Sequence, residues 1–531
     1  MRAQTASGYA WFSHFRIASK RVRRSPAVFG RTVFTFAFTP GILTWALQRR
    51  FLLLAAALIA FGGALLGSFH LDDYSLLSNP LITANSGLWR MWEPVNTRPL
   101  TNLTFWLNYR VGGNHAYGYH AVNILLHFTA VLLLYAALKL ILTESAAFWA
   151  ALIFAVHPMQ SEAVAYVFAR GTLLSTVLCV GCLYLWLRGR FALAVACFGC
   201  ALLAKEECVT FPLVLLLLQP MRGRWRPFAC MVGLAALAGG RAVWATAQVA
   251  GSGAGFGTPI TPLHYLQAQG IAVTRYLQLV LVPWGFTIEP NVLLVNQWLC
   301  GAAWALVLVI AAVCWILRKR FSWAIWIVSG LILLIPSSSL FPASDLAADR
   351  RMYLPMAAFS TAFGIVTPWL WRQAPTVIAM VLAALSITRM DVWRTERNLW
   401  REAVNRSPTH VRPLIQLSRA VPDEDAIPLL VDAKALDPAN GNVSAELGRL
   451  WLKTRRYDFA LQEFGRTLAL QPNNANALNN RGAALLGLKQ ERAARHDFER
   501  ALQIDPCVLA ARKNLEMIGG SVLPACTAIE K

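Results

Sequence analysis

The sequence predicts an all-α protein: a polytopic membrane domain of about eleven transmembrane helices, followed by a polar helical solenoid. Three observations point there. Of 531 residues, 56% are hydrophobic and 14% charged, with a mean hydropathy of +0.47, whereas a soluble protein carries about 25% charged residues. Long apolar runs recur as far as Thr388 with Arg and Lys at alternate ends. Beyond Asp391 the composition turns polar, and Pro438, Pro472 and Pro506 recur every 34 residues. The net charge of +22 raises nucleic acid as a partner. However, the Arg residues flank apolar runs, the positive-inside pattern, and form no basic stripe interleaved with aromatics.

Residues 1–50 hold nine basic residues and no acid. They read as a cytoplasmic segment, with Val28–Leu47 apolar enough to lie on the membrane surface. The basic region is too long for a cleavable signal peptide, and no small-residue cleavage site follows the apolar run. Residues 51–390 form the membrane domain and 391–531 the solenoid. Span one, Phe51–Phe69, has 19 residues and no charge, about enough for a hydrocarbon core of about 30 Å. A polar, Asn- and Trp-rich outer loop runs from His70 to about Tyr119. The next spans are Ala121–Leu142, Ala146–Val156, Ala163–Leu187, Phe191–Ala204, Cys208–Leu218 and Phe228–Val249. Residues 270–283 read as re-entrant or interfacial, because Trp298–Leu317 must travel inward to Arg318-Lys319-Arg320. Ser322–Leu340, Leu354–Trp371 and Thr376–Thr388 complete the domain and leave the C-terminus outside.

This map gathers nearly every remaining membrane-proximal charge on the outer face: Asp72, Asp73, Glu93, Arg98, Glu162, Arg170, Lys205, Glu206, Asp345, Asp349, Arg350 and Arg351. Glu144 is the exception. Ionisable residues at membrane depth are costly and usually functional. Asp72-Asp73 stands where the first span meets headgroups and water. One acid would suffice for an N-cap; two let one act on an acceptor while the other orients or tunes it. Arg98, Arg170, Lys205, Arg350 and Arg351 offer a cationic cluster suited to a lipid phosphate. The remaining candidates also admit structural readings. His157-Pro158 ends a span, Lys205-Glu206 can pair with itself at a hairpin tip, and Asp349-Arg350 precedes Tyr353-Leu-Pro355.

In the tail, Gly448, Ala460, Phe464 and Pro472 recur as Gly482, Ala494, Phe498 and Pro506. This is the tetratricopeptide (TPR) pattern, in which small residues let paired helices approach. A shortened unit, about Trp400–Pro438, precedes them, and residues 507–518 read as a capping helix. Such a module binds an extended peptide or protein, or else rigidly caps the membrane domain. Cys179-x-x-Cys182 and Cys197-x-x-Cys200 have zinc-site spacing but lie in apolar spans, where Cys behaves as a small hydrophobe. Cys507 and Cys526 fall in the outer tail, where an oxidising compartment permits a bond. No nucleotide-binding, serine-hydrolase or zinc-protease motif occurs.

Taken in order, certain residues resemble those of the transmembrane and TPR-repeat-containing O-mannosyltransferase family, glycosyltransferases of the GT-C fold. They are Leu71-Asp72-Asp73, Arg98-Pro-Leu-Thr101 with Leu107-Asn108-Tyr109, and Tyr119-His120 with Asn123 and His127. Phe154-Ala-Val-His157-Pro158, Glu162-Ala163-Val164, Arg170-Gly171, Lys205-Glu206 and Asp349-Arg350 with Tyr353-Leu354-Pro355 continue the series. Asp349 stands where the family usually has Glu. The resemblance implies a GT-C-like membrane domain, a dolichyl- or polyprenyl-phosphate sugar donor, a protein Ser/Thr hydroxyl as acceptor, and inversion at the anomeric carbon. By position it makes Asp72 the general base with Asp73 as partner. Arg98, His157, Glu162, Arg170, Lys205, Glu206, Asp349, Arg350 and Tyr353 become candidate substrate-binding residues. No cofactor is required, and a divalent metal is compatible. Arg outnumbers Lys 40 to 9, a GC-rich coding imprint, and the tail is shorter than in animal members. Both point to a bacterial relative, with the N-terminus cytoplasmic and the site and solenoid periplasmic. The competing reading is a membrane-anchored TPR scaffold or a lipid-linked sugar transporter, which would place charges along a path through the midplane.

Overall fold

In hydrocarbon every backbone polar group must be satisfied within its own segment, so apolar runs become helices. The computed structural model describes residues 40–221, 223–248, 260–292, 296–339, 341–343 and 345–520. Most of Val28–Leu47, and Cys526, lie outside them. Residues 49–531 form one compact unit, which holds the candidate site and the solenoid.

The described residues are helical and contain no β-strand. Each expected span is a helix: Pro40–Phe61, Ala116–Leu138, Glu144–Val156, Arg170–Leu187, Phe191–Ala204, Phe211–Leu218, Trp225–Gln248, Gln297–Leu317, Ser322–Leu334, Tyr353–Val366 and Ala374–Val392. Six described helices have the length and composition for a full crossing: Leu47–Leu66, Ala116–Leu138, Val167–Leu187, Trp225–Gln248, Gln297–Leu317 and Ala374–Val392. The rest are shorter. Glu144–Val156 has 13 residues, about 20 Å at 1.5 Å per residue, and ends at His157-Pro158. Ser322–Leu334 likewise ends two residues before Pro336, well short of Leu340. Pro removes the donor and clashes with the preceding turn, so each helix stops there.

These helices share one core in which Ala147, Ala150 and Ala151 let Glu144–Val156 lie against Tyr353–Val366. Helix Pro262–Leu281 takes in most of the 270–283 stretch. Its side chains reach along one face, from Tyr265 Oη to the Ser337 carbonyl (2.8 Å), through Gln269 Nε2 to Leu346 O (2.8 Å), to Tyr276 Oη on Ala348 O (3.1 Å). All three partners belong to the segment that carries Asp345 and Asp349.

The solenoid is built from helix pairs. A Cβ on Gly448 would stand 2.8 Å from the Phe464 ring, and one on Gly482 2.6 Å from Phe498, so glycine is what permits each pair to close. Arg455 and Lys489 occupy equivalent inter-helix turns at φ +61° and +62°. The shortened unit is the pair Val411–Ala420 and Asp423–Leu436, with Ala426 and Ala433 buried. Leu509–Met517 caps the array through Ala511 and Leu515. The solenoid does not hang from a tether. Trp400, in helix Glu396–Arg406, packs with Leu417 and against Leu71 and Ile288. Ser407 Oγ donates to Glu289 O at 2.6 Å, and Arg412 pairs with the Glu289 carboxylate at 3.1 Å.

Candidate active site

After the first span the chain tightens into a 3-10 turn, Gly62–Leu66. It reaches Leu71 in the left-handed region at φ +47°, a conformation that costs a non-glycine residue roughly 1–3 kcal/mol and survives only when its surroundings over-determine it. The twist sends the two acids opposite ways. Asp73 is fully buried; one oxygen accepts the His70 N–H at 3.0 Å and the other the Phe168 N–H at 2.7 Å. Burial pushes its carboxyl up to about 7, against the pull of those N–H groups. Asp72 is exposed. Its Oδ2 accepts the Tyr166 hydroxyl at 2.9 Å, while its own N–H donates to the same hydroxyl oxygen at 3.2 Å. Burial and the charges of Asp72 and Asp73 push the Tyr166 phenol up, so it stays a donor. The adjacent acids thus divide: Asp73 anchors the loop, and Asp72 presents a free face to solvent.

The cations gather beside them. The Arg350 guanidinium lies over the Tyr166 ring, 5.7 Å from its centroid. It forks between Glu162 and Asp345 (2.8 Å), and the Arg350 backbone N–H also donates to Glu162 at 3.1 Å. Arg98 forks onto Glu206. Burial alone would raise the Glu206 carboxyl, but Arg98 holds it down at about 2. Lys205 Nζ reaches Glu207 at 2.8 Å and donates to Thr172 Oγ1 at 2.7 Å. Burial lowers its ammonium. Asp349 is taken by Arg275 of helix Pro262–Leu281, and Arg351 donates to Tyr265 Oη, Leu346 O and Asp345 O. Arg98, Lys205 and Arg350 are close enough to repel one another electrostatically. Glu144, the exception on the sequence map, pairs elsewhere with Lys139 and Arg49.

Three of the sequence candidates turn inward. His157 is buried; its Nδ1 accepts the Met159 N–H and its Nε2 donates to Val280 O. Burial lowers the ring to about 4, so it is a neutral helix stop. Arg170 is fully buried and spends its donors on Asn123, Asn108, Thr104 O and Tyr119 O, with the Phe105 ring 4.3 Å away. The Tyr353 hydroxyl donates to His127 Nδ1 at 2.8 Å in the core. Cys179 and Cys182 are buried free thiols, and Cys197 donates to Leu178 O. Among the described residues no group of three or more His, Cys, Asp or Glu is placed to hold a metal ion.

Sequence reasoning missed Tyr166, Arg275, Glu207 and Trp393. Arg275 carried a signal, a lone charge inside the apolar stretch Gly270–Val280. Tyr166 sits between Glu162 and Arg170, both already singled out, but nothing local marks it.

No family model matches the chain. Over 439 residues it is 25% identical to the protein O-mannosyl-transferase F38B6.6 of Caenorhabditis elegans, covering 73% of this chain and 62% of that protein. Over 144 residues it is 35% identical to human protein O-mannosyl-transferase TMTC1, covering 24% of this chain and 16% of the relative. Over 149 residues it is 36% identical to human TMTC4, covering 23% and 20%. A solved structure, the APC/C hetero-tetramer Cut9–Hcn1, aligns with 84% of this chain and 96% of its own at 14% identity, but its TM-score of 0.23 carries no weight. By sequence the chain is similar to protein O-mannosyl-transferases and spans less than two thirds of these relatives' own length.

Proposed function

We propose that the chain is a membrane glycosyltransferase that moves a single mannose-like sugar from a polyprenyl-phosphate donor to Ser/Thr hydroxyls of protein, with inversion. Asp72 takes the hydroxyl proton as the acceptor oxygen forms its bond to the anomeric carbon. The carbon–oxygen bond to phosphate breaks in line, and the electron pair leaves with the polyprenyl phosphate. Tyr166 orients the base, and Arg98, Lys205 and Arg350 meet the phosphate, where Arg offers a charge-assisted, bidentate contact.

One observation carries this reading. Among the outer-face acids, Glu93, Glu162, Glu206, Asp345 and Asp349 each face a cation that occupies the carboxylate. Asp73 is buried and saturated. Asp72 alone combines exposure with the absence of an ion pair among the described residues, and one hydroxyl aims it. The relatives' names support a protein acceptor and mannose, and the solenoid supports a peptide-binding role. The apolar helices support an integral membrane location; the one-sided cluster supports a site at one membrane face, outside the cytoplasm on the positive-inside map. The test is purified protein in detergent with polyprenyl-phosphate mannose and a Ser/Thr-rich peptide, read by intact mass. Addition of one hexose is expected. A peptide left unmodified by every polyprenyl-phosphate hexose, together with unchanged glycoproteins in cells lacking the gene, overturns the proposal.

A further inference from the structure

Helices Phe191–Ala204 and Trp225–Gln248 lie against each other but leave a cavity of about 260 Å³ between them. Leu234, Leu237, Ala238 and Arg241 line one wall; at i, i+3, i+4 and i+7 they share one face of their helix. Gly199, Leu203 and Glu206 line the other wall at matching spacing. Each wall is therefore apolar and ends in one charged group. Little of the apolar stretch of Trp225–Gln248 is buried, and Leu237 is exposed, so this face meets hydrocarbon. The two charges differ in their surroundings. Glu206 is taken by Arg98. Arg241 faces no carboxylate among the described residues: its Nε donates to Pro94 O at 2.9 Å, and its Nη2 to Glu93 O at 3.3 Å and Asn96 O at 2.5 Å. Three loop carbonyls thus fix the guanidinium without neutralising it. The two N–H groups of Nη1 have no protein acceptor among the described residues, and a charge beside hydrocarbon is costly without a counter-ion.

We infer that this cavity is a site for one anionic phospholipid of the outer leaflet, with its phosphate on Arg241 and one acyl chain between the walls. The cavity is smaller than the range of about 300–1,000 Å³ that holds a compact small molecule, so it suits a length of single chain. A phosphate brings the acceptor oxygens that Nη1 lacks, in a charge-assisted contact, and the loop carbonyls have already set the guanidinium in place, which lowers the cost of binding. Bulk lipid is the species this face meets at the highest concentration, so occupancy follows by mass action. The sugar donor fits less well, because Arg98 does not line the cavity and the Glu206 carboxylate stands on the way to it. Such a site is independent of the reaction the chain performs and is read by binding alone.

The full chain, purified in detergent, is titrated with dioleoyl phosphatidylglycerol, dioleoyl phosphatidylcholine or undecaprenyl phosphate, and retained lipid is counted by native mass spectrometry. One phosphatidylglycerol is expected to be held in preference to phosphatidylcholine. Arg241→Gln should weaken it about 10- to 100-fold, the scale of one charge-assisted hydrogen bond, while Arg241→Lys keeps the preference for the anionic lipid. Ala238→Phe fills the cavity without touching the loop carbonyls and should weaken binding with Arg241 intact. Melting midpoints separate lost binding from lost folding; if Arg241→Gln does not fold, Ala238→Phe decides. Equal retention of the two phospholipids, or phosphatidylglycerol binding unchanged in Ala238→Phe, overturns the site. Undecaprenyl phosphate that displaces phosphatidylglycerol one for one, and is itself weakened by both substitutions, overturns the choice of occupant and gives the cavity to the donor's chain.

Discussion

Replacing each acid of the pair by its amide separates their roles. The Asp72 side chain is exposed and accepts one hydrogen bond, from Tyr166 at 2.9 Å. In Asp72→Asn the amide oxygen can still accept it, so the stability cost is at most that of one ordinary hydrogen bond, about 0.5–1.5 kcal/mol. Loss of the general base costs about 10²–10⁴-fold in rate, which is about 3–5 kcal/mol of activation free energy. Asp73→Asn reverses the balance. Both Asp73 oxygens are buried and each takes one backbone N–H. An amide offers one oxygen and turns its NH₂ toward the other donor, stranding a buried N–H at about 1–3 kcal/mol. Paired assays of melting in detergent and hexose transfer to peptide should show Asp72→Asn folded but inactive, and Asp73→Asn less stable but active in its folded fraction. Near-normal transfer by Asp72→Asn, with transfer abolished in a fully stable Asp73→Asn, would refute the assignment and make Asp73 the base.

Arg350→Ala is expected to raise KM for the lipid-linked donor more than for the peptide. It also strands buried Glu162, so Arg350→Lys, which keeps the charge but loses the fork, checks that the kinetic change is not unfolding. Melting should depend on pH with opposing contributions. His70 and His157 are lowered by burial to about 4, so the stability from keeping them neutral is full above about pH 6.5 and lost as pH falls toward 4, up to about 3 kcal/mol each. Asp73, raised to about 7, works against the fold as pH climbs from about 4 to 7, so Asp73→Asn should steepen the rise in melting midpoint across that window. Deleting residues 437–531 removes both full repeats but keeps Trp393 and Arg394, whose carbonyls accept hydrogen bonds from the acid loop. Transfer to whole protein should fall much further than transfer to a short peptide at high concentration, since tethering acts through local concentration; equal losses would assign the repeats to stability.

The helical segments were legible because being apolar is a local property, written run by run between Phe51 and Thr388. The repeats were legible because a 34-residue period brings the same glycine against the same phenylalanine each time. Pairing was not. Positive-inside reasoning assigned Glu162 and Arg350 to one face, but they are 188 positions apart, and topology supplies a side rather than a partner. Asp349 and Arg350, adjacent in sequence, bind different partners altogether, Arg275 and Glu162. The acid pair is the sharpest case. Two identical neighbours carry no local mark of which is buried, because the difference is made by Leu71 at φ +47°, next to His70, whose partner Trp393 lies 323 positions later. His157 and Arg170 are the converse case: each has the residue type of a site, and each spends its polar atoms on neutral backbone and amide groups.

Every cation proposed to meet the phosphate already faces a carboxylate, which sets a condition on binding of the proposed donor. Glu162 and Asp345 take Arg350, Glu206 takes Arg98, and Glu207 takes Lys205, so a phosphate arriving there displaces a carboxylate. Glu206, held at about 2, stays ionised throughout the physiological range and cannot retire by taking up a proton. It must either turn away or keep one arm of the Arg98 fork while phosphate takes the other. Arg350 is better placed to yield. Its two acids share one guanidinium, and Asp345 has a second cation within reach, Arg412 at 3.7 Å, contributed by the solenoid. If Asp345 swings to Arg412 when the donor binds, one guanidinium edge of Arg350 is freed beside Tyr166 and Asp72, so donor and base meet at the same residue. Arg412→Ala should then weaken donor binding although Arg412 itself never touches the donor, and titration of polyprenyl phosphate against the intact variant measures it. Unchanged affinity would show that the phosphate enters by the Arg98 side.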